Sequence, residues 1–464
     1  MYVKGLVEEL SNLGVKNVIA APAAGISDTG YRISEGDSRL KVWRFKCNEK
    51  PGDLGEIYGE GDPVAAESFK KVLDAERPDI VHFHAWSPAV SILLVREVNR
   101  RGLRLVQTYH TPTLSCPRGT LMRWGKIVCD GDLARRPCAL CAIHGQLRKG
   151  DWRSEMGYGK DSGGVSRKNP PNPESQIRNA QSPTLQSLVS KLTTMFRMPR
   201  LIQKRAEAVR EMFRTVDAMV AQNDWSRKLL VLNGVAEPKI RLFRHGIPDS
   251  GFRIPDSGGQ KDLGYKKVEQ KAKGALRLVF LGRVAPEKGI DVLLRALSLV
   301  KTKVELDIYG IRAEGDSGDR MEDRGRVQAG GGRREAGGSR KPELRNPESR
   351  IRWLAPVKPE EVVETIRKYD ALVVPSVWLE TGPLVVLEAF AAGVPVIGSR
   401  LGGIAEMVKE EQDGLLCRAG DPSDLASMIN KYSAKQSLIK KNVKKPKSLS
   451  SLAKEHLELY NQLS

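Results

Sequence analysis

Eight short runs of Val, Ile, Leu and small apolar residues, each three to six residues long, constrain this chain more than any other feature: Val18–Ala20, Ile80–Phe83, Leu103–Thr108, Ala218–Ala221, Leu276–Leu281, Val304–Tyr309, Ala371–Pro375 and Val394–Ile397. Runs this short and this rich in Val, Ile and Leu read as strands buried on both faces. Between many of them lie amphipathic helical patterns, such as Val64–Leu73, Ile290–Val300, Pro359–Lys368 and Pro383–Ala392. Strand and helix in alternation predict α/β architecture with parallel sheets and right-handed crossovers. The runs fall into two groups around Pro248, so the expectation is two doubly wound, Rossmann-like domains facing across a cleft. The expected boundaries are 1–247, 248–447 and a C-terminal helical segment 448–464 that packs back on the N-terminal domain. In such folds the chemistry sits beyond the carboxyl ends of the strands.

At 464 residues, two or three domains are expected. A hydrophobic content of 40% excludes a wholly disordered chain. No apolar run is long enough to span a bilayer, and Lys4, Glu8 and Glu9 interrupt the N-terminal apolar stretch that a secretion signal would need. The formal charge of +20 asks for an anionic partner: nucleic acid, a membrane surface or a phosphorylated substrate. Eight lysines and no acidic residue lie between Lys431 and Lys454, which marks a tail that could meet an anionic membrane. No aromatic-interleaved basic stretch suited to bases is present, so nucleic acid is not expected.

Two stretches, 145–183 and 311–350, are rich in Gly, Arg, Ser, Pro and Asn. They share a repeat: Asn172–Arg178 matches Asn346–Arg352 at six of seven positions, each after a Gly-Gly and a Ser-Arg-Lys. Such composition cannot bury enough apolar surface to offset ordering entropy, and both are expected to be disordered insertions.

The densest chemical signal lies at Pro375–Ile397. A buried strand runs into Glu380-Thr381-Gly382-Pro383-Leu384, then a helix carrying Glu388, ended by Gly393 and Pro395. Pro383 suits the start of that helix. A helix N-terminus offers unpaired N–H groups to an anion, and a carboxylate beside it can accept hydrogen bonds from ribose hydroxyls. Upstream, Phe280-Leu-Gly282-Arg283 leads through Pro286 to Lys288-Gly289 between another strand and helix. Gly282 permits the turn, while Arg283 and Lys288 bring two cations toward one phosphate site.

These segments resemble glycosyltransferase family 4, retaining enzymes of GT-B fold that use sugar nucleotides. Glu380 and Glu388 match its E-x7-E signature, Glu388–Ile397 its E-A-x-A-x-G-x-P-V-I pattern, Gly282–Gly289 its G-R-x-x-x-x-K-G element, and Gly402-Gly403-x-x-Glu406 its G-G-x-x-E turn. The resemblance implies that Arg283, Lys288 and the N–H groups near Gly382, Pro383 and Leu384 hold the donor diphosphate. It further implies that Glu388 holds the ribose, that Gly403 lies near the ligand, and that Glu380 orients the sugar. Thr108-Tyr109-His110-Thr111 resembles the family's T-x-H-D segment with Thr for Asp, which implies that His110 reaches the sugar. His82 and His84 read as packing residues, and His245-Gly246-Ile247 resembles the family's N-G-I/V segment with a structural role.

Four of six cysteines fall in one stretch: Cys116, Cys129, Cys138 and Cys141. One C-x-x-C is a metal half-site. Tetrahedral zinc on four thiolates, free thiols and redox use all remain open. Catalysis is expected to need no cofactor.

The expected activity is transfer of a sugar from a nucleoside diphosphate sugar, UDP- or GDP-linked, to a glycan or lipid-linked acceptor. The expected setting is polysaccharide biosynthesis in the cytoplasm, peripheral at the membrane face. The chain opens inside the family's first helix, Val3–Leu13, so its first strand and Gly loop are expected to be missing. A catalytically impaired remnant is therefore one alternative. A sugar-nucleotide epimerase of the same fold and a basic nucleic-acid or anionic-surface binder are the others.

Overall fold

The computed structural model describes residues 2–28, 30–33, 40–49, 54–124, 127–133, 137–147, 185–248, 274–312, 346 and 349–464. In chain order its elements are α1 (Tyr2–Asn12), β1 (Val18–Ala23), β2 (Gly30–Ile33), β3 (Lys41–Lys46), α2 (Leu54–Tyr58), α3 (Pro63–Glu76), β4 (Ile80–Phe83), α4 (Ile92–Arg100) and β5 (Arg104–Thr108). There follow β6 (Met122–Arg123), β7 (Ile127–Val128), α5 (Pro137–Leu147), α6 (Leu185–Thr215), β8 (Ala218–Ala221), α7 (Asp224–Leu232) and β9 (Ile240–Leu242). The remainder holds β10 (Leu276–Val284), α8 (Ile290–Leu297), β11 (Val304–Arg312), β12 (Arg350–Leu354), α9 (Val362–Ile366), β13 (Ala371–Val374), α10 (Leu384–Ala391), β14 (Val396–Ser399), α11 (Gly402–Met407), β15 (Gly414–Cys417), α12 (Pro422–Lys441) and α13 (Leu449–Leu463).

The chain divides into two compact units. One comprises residues 1–17, 220–228 and 241–464; the other comprises 18–219 and 229–240. The division therefore does not fall at a single point near residue 247, as the sequence suggests. The physical reason is helix α1. Its apolar face, Leu6 and Leu10, packs with Ala453 of α13, so both terminal helices belong to the unit built on the C-terminal sheet.

That sheet has six strands in the order β12-β11-β10-β13-β14-β15, all parallel. Counted from its own first strand, the order is 3-2-1-4-5-6, the doubly wound arrangement. Two apolar cores cover its faces. One joins Leu278, Phe280, Leu306 and Ile397 to α8 and α12; the other joins Val279, Leu372, Val374 and Val396 to α10. The order reverses between β10 and β13, and the loops leaving these two strands bound the switch point where ligands bind in such sheets.

The sheet trims only the edges of the stretch 311–350: β11 runs on to Arg312, and β12 begins at Arg350. The second repeat copy thus ends in ordered structure. Ser349 is buried, and its Oγ accepts the Val304 N–H at 3.0 Å. The Arg352 guanidinium grips buried Asp307 through two hydrogen bonds of 2.6 and 2.8 Å. The strand was hidden because its exposed face carries Arg350 and Arg352, leaving only Ile351 and Trp353 to pack on the core. The first copy, Asn172–Arg178, and the stretches 148–184 and 313–345 lie outside the described residues.

In the other unit β1 pairs in parallel with β3, and β2 pairs antiparallel to β3. A second sheet has the order β4-β5-β8-β9, with β4 and β5 parallel. Helix α3 is fixed at its start by Asp62, whose carboxylate accepts the N–H groups of Val64 and Ala65. Among the described residues no helix is long and apolar enough to cross a membrane.

Candidate active site

Strand β10 delivers Gly282 and Arg283, then a single turn of 3-10 helix, Pro286–Lys288, which ends at Gly289 in the left-handed conformation at φ +70°. A Cβ at Gly289 would stand 1.9 Å from the Pro375 carbonyl oxygen, so only glycine lets the two loops approach this closely. That approach positions Lys288. Its Nζ donates to Glu380 Oε1 at 2.6 Å and lies 5.3 Å from the centre of the Trp378 ring.

Glu380 is buried, and the same oxygen accepts the Ser376 hydroxyl at 2.9 Å. Its backbone oxygen accepts the Gly403 N–H at 2.7 Å. Cβ atoms at Gly402 or Gly403 would come within 2.9 Å of that same oxygen, which explains the paired glycines. The loops after β10, β13 and β14 are thus tied into one structure around Glu380.

Helix α10 starts at Leu384 with Pro383 as its N-cap, and no side chain closes that cap. Its N-terminus remains a place for an anion. Gly382 lies against His245: a Cβ there would meet the imidazole Cδ2 at 2.8 Å. Burial, then the nearby charge of His456, pulls His245 down to about 4, so it stands neutral beside the loop. Backbone pairing holds it there: the Ile247 N–H donates to Lys447 O, and the Leu449 N–H donates to Ile247 O. Asn223 adds a side-chain hydrogen bond to the Thr381 carbonyl.

Glu388 sits on the second turn of α10. Burial pushes its carboxyl up to about 7, poised near neutrality. Arg283 behaves differently from its expected partner Lys288. It is exposed and pairs with Glu287 in its own loop at 3.2 Å. The structure thus brings Lys288, Glu380, Gly382, Pro383, Leu384 and Gly403 to the sheet's switch point, while Arg283 lies in the same loop directed to Glu287. Glu406 has a role that the sequence did not reveal. Its carboxylate accepts the backbone N–H groups of Asp224 and Trp225, both at 2.7 Å, and so caps α7.

In the other unit, His110 follows β5. Its Nε2 lies 2.9 Å from His84 Nδ1, and the two rings stack 5.2 Å apart. His82 stacks on His84 at 4.0 Å and hydrogen-bonds Thr108 Oγ1 at 2.7 Å. His84 is therefore coupled to the predicted sugar-facing histidine. The signal available was its place at the end of the neighbouring parallel strand.

All six cysteines carry free thiols. Cys116, Cys129, Cys138 and Cys141 line one pocket. Burial pushes the Cys138 thiol up to about 12, helped by the other three sulfurs. Among the described residues no three His, Cys, Asp or Glu side chains are already arranged to hold a metal ion.

Comparison with known proteins agrees with this geometry. The family described as glycosyl transferases group 1 matches residues 264–455, and the glycosyl transferase 4-like domain matches residues 1–150. A D-inositol 3-phosphate glycosyltransferase of Corynebacterium jeikeium is 37% identical over 44% of this chain and 48% of its own length. The matches with curated relatives span about half of those proteins. Among solved structures, the sucrose-phosphate synthase of Thermosynechococcus elongatus overlays with a TM-score of 0.61 at 17% identity, covering 100% of this chain and 92% of that one. Anabaena HepE in complex with UDP-glucose overlays at 0.53 and 15% identity, covering 92% of this chain and 86% of that one. With both family matches in chain order and a doubly wound C-terminal sheet covered by α8 and α12 on one face and α10 on the other, this chain belongs to the family 4-like glycosyltransferases of GT-B fold.

Proposed function

We propose that the protein is a retaining glycosyltransferase that moves a sugar from a nucleoside diphosphate sugar to a glycan or lipid-linked acceptor. One observation carries the reading: Lys288, the Glu380 carboxylate and the uncapped N-terminus of α10 meet at the switch point of a 3-2-1-4-5-6 sheet. In this reading the donor diphosphate lies against Lys288, Arg283 and the N–H groups of α10. These groups stabilise the charge that develops on the leaving phosphate, the electrostatic contribution that usually dominates. Glu388 accepts the ribose hydroxyls, and Glu380, held by Lys288 and Ser376, orients the sugar. His110 is assigned to the donor sugar by the resemblance of its segment, Thr108–Thr111, alone. The leaving phosphate can take the acceptor's proton, so neither a protein nucleophile nor a metal is invoked for this step.

The site of action we propose is the cytoplasmic membrane face, in polysaccharide assembly. The exposed Lys440, Lys441, Lys444 and Lys445 support this, at about 1 kcal/mol per lysine near an anionic surface. The tail is less charged than its sequence implies, because Lys431 and Lys435 pair with Glu411 and Lys447 pairs with Glu455.

HepE was solved with UDP-glucose, which makes that compound the first donor to try. Calorimetry with a panel of UDP- and GDP-sugars is the test. At least one donor is expected to bind, and Glu388→Ala is expected to weaken it about tenfold or more, the cost of one charge-assisted hydrogen bond. Unchanged affinity in that variant would remove the assigned role.

A further inference from the structure

The stretch between β5 and α5 holds little regular secondary structure. Strands β6 and β7 have two residues each, and a two-stranded hairpin this short is not independently stable. Ile127 and Val128 point to solvent at 60% and 46% exposure. Leu121 and Trp124, neither of them glycine, sit in the left-handed region at φ +52° and +59°. Leu114, Leu121, Met122 and Leu133 are buried beneath it, but the outer side of the hairpin has no apolar cover.

The four cysteines of the pocket come from three separate pieces of it. Cys116 lies in the loop before β6, Cys129 directly after β7, and Cys138 and Cys141 on α5. The i,i+3 spacing puts the last two on one helix face. The backbone around the sulfurs is laid out for anions. The N–H groups of Arg118, Thr120 and Leu121 are directed at the Cys116 sulfur. The Gly131 N–H lies 3.5 Å from Cys129 Sγ, and Arg118 Nη1 lies 3.8 Å from Cys141 Sγ. Donors of this kind can hydrogen-bond the sulfur ligands of a metal site.

We propose that Cys116, Cys129, Cys138 and Cys141 form a tetrathiolate site for one structural zinc ion. Each cysteine loses its proton as it ligates, and the four thiolates with Zn²⁺ carry a net charge of −2. Arg118 and Arg123, both at the pocket wall, face that charge; Asp130 and Asp132 share the wall, with Asp130 4.0 Å from Arg123. The four cysteines border one pocket, and ligation requires their side chains to turn so that the sulfurs converge on the ion. Zinc would then tie loop, hairpin and helix into one unit beside Tyr109 and His110 without entering the glycosyl-transfer chemistry.

The test uses the full chain, expressed with zinc and purified under reducing conditions. Metal analysis is expected to give about one zinc per chain. Cobalt(II) added to the zinc-stripped protein is expected to produce the thiolate-to-cobalt charge-transfer absorption of a tetrahedral site. Cys138→Ser is expected to lose the zinc, whereas Cys417→Ser, outside the pocket, keeps it. The wild-type cobalt spectrum keeps the question decidable if Cys138→Ser fails to fold. Wild-type protein with no stoichiometric zinc and no cobalt–thiolate absorption, its thiols all titrating freely or paired in disulfides, would overturn the proposal.

Discussion

Replacing Glu388 by Gln gives a sharp test of the electrostatics at α10. Burial raises this carboxyl from 4.5 to about 7. The folded protein therefore keeps a proton that the unfolded chain releases between those two values. The native state binds more protons there, so stability falls as pH rises. The contribution is fully present below about 4.5 and lost once pH passes about 7. At about 1.4 kcal/mol per unit the ceiling is about 3 kcal/mol, and partial exposure of the side chain brings the expectation to about 1–3 kcal/mol. For a unit of this size that is a change of several degrees in melting temperature. The assay is a series of thermal melts from about pH 5 to pH 8 on the wild type and Glu388→Gln, read as a difference so that every other titrating group cancels. The wild type is expected to lose stability relative to the variant across that range. A donor whose ribose hydroxyls donate to the ionised carboxylate adds a second sign. Its affinity should rise with pH through about 7 in the wild type and stay flat in the variant. A wild-type-minus-variant difference that does not change with pH would refute the claim that Glu388 sits in a desolvating environment.

Two further outcomes follow from the same loops. Lys288→Met strands the buried Glu380 carboxylate with only the Ser376 hydroxyl, and should cost about 2–4 kcal/mol in denaturant titrations. Adding Glu380→Gln should recover most of that stability but not donor binding, which separates the ion pair's structural share from its chemical one; a double variant as unstable as the single would contradict this. Gly289→Ala combines a left-handed φ of +70° with a Cβ 1.9 Å from Pro375 O, and is expected to lower both stability and donor affinity by displacing Lys288. An alanine variant that binds donor like the wild type would show that the loop contact does not position the lysine.

The parts of this molecule that a linear reading recovers are those where one residue's type answers to one local need. Buried parallel strands such as Ala218–Ala221 and Ala371–Val374 must be apolar on both faces, and so announce themselves. The glycines at 289, 402 and 403 are required by backbone approach, and the motif spacing carries them. What stayed hidden depends on partners far away in sequence. Strand β12 is an edge strand with arginines on its open face. Only its register beside β11, which sets Arg352 opposite Asp307, turns a low-complexity segment into sheet. Helix α1 reads as the start of the first domain, yet its apolar face finds α13 at the other end of the chain.

The same distinction governs the site. A pair of glutamates eight residues apart looks symmetrical in the sequence, but the fold gives them opposite electrostatics. Glu380 accepts hydrogen bonds from the Lys288 ammonium at 2.6 Å and from the Ser376 hydroxyl at 2.9 Å. Among the described residues no cation offsets the burial of Glu388, and its carboxyl rises to about 7. Two similar groups with different partners can serve different tasks, one fixed in orientation by its contacts and one responsive to what binds. The difference arises at the switch point, because β13 brings Glu380 against the loop from β10 while α10 carries Glu388 back toward the core. If Glu380 and Glu388 exchanged sensitivities, so that Glu380→Gln abolished the pH dependence of stability and Glu388→Gln left it intact, this assignment of the two carboxylates would be reversed.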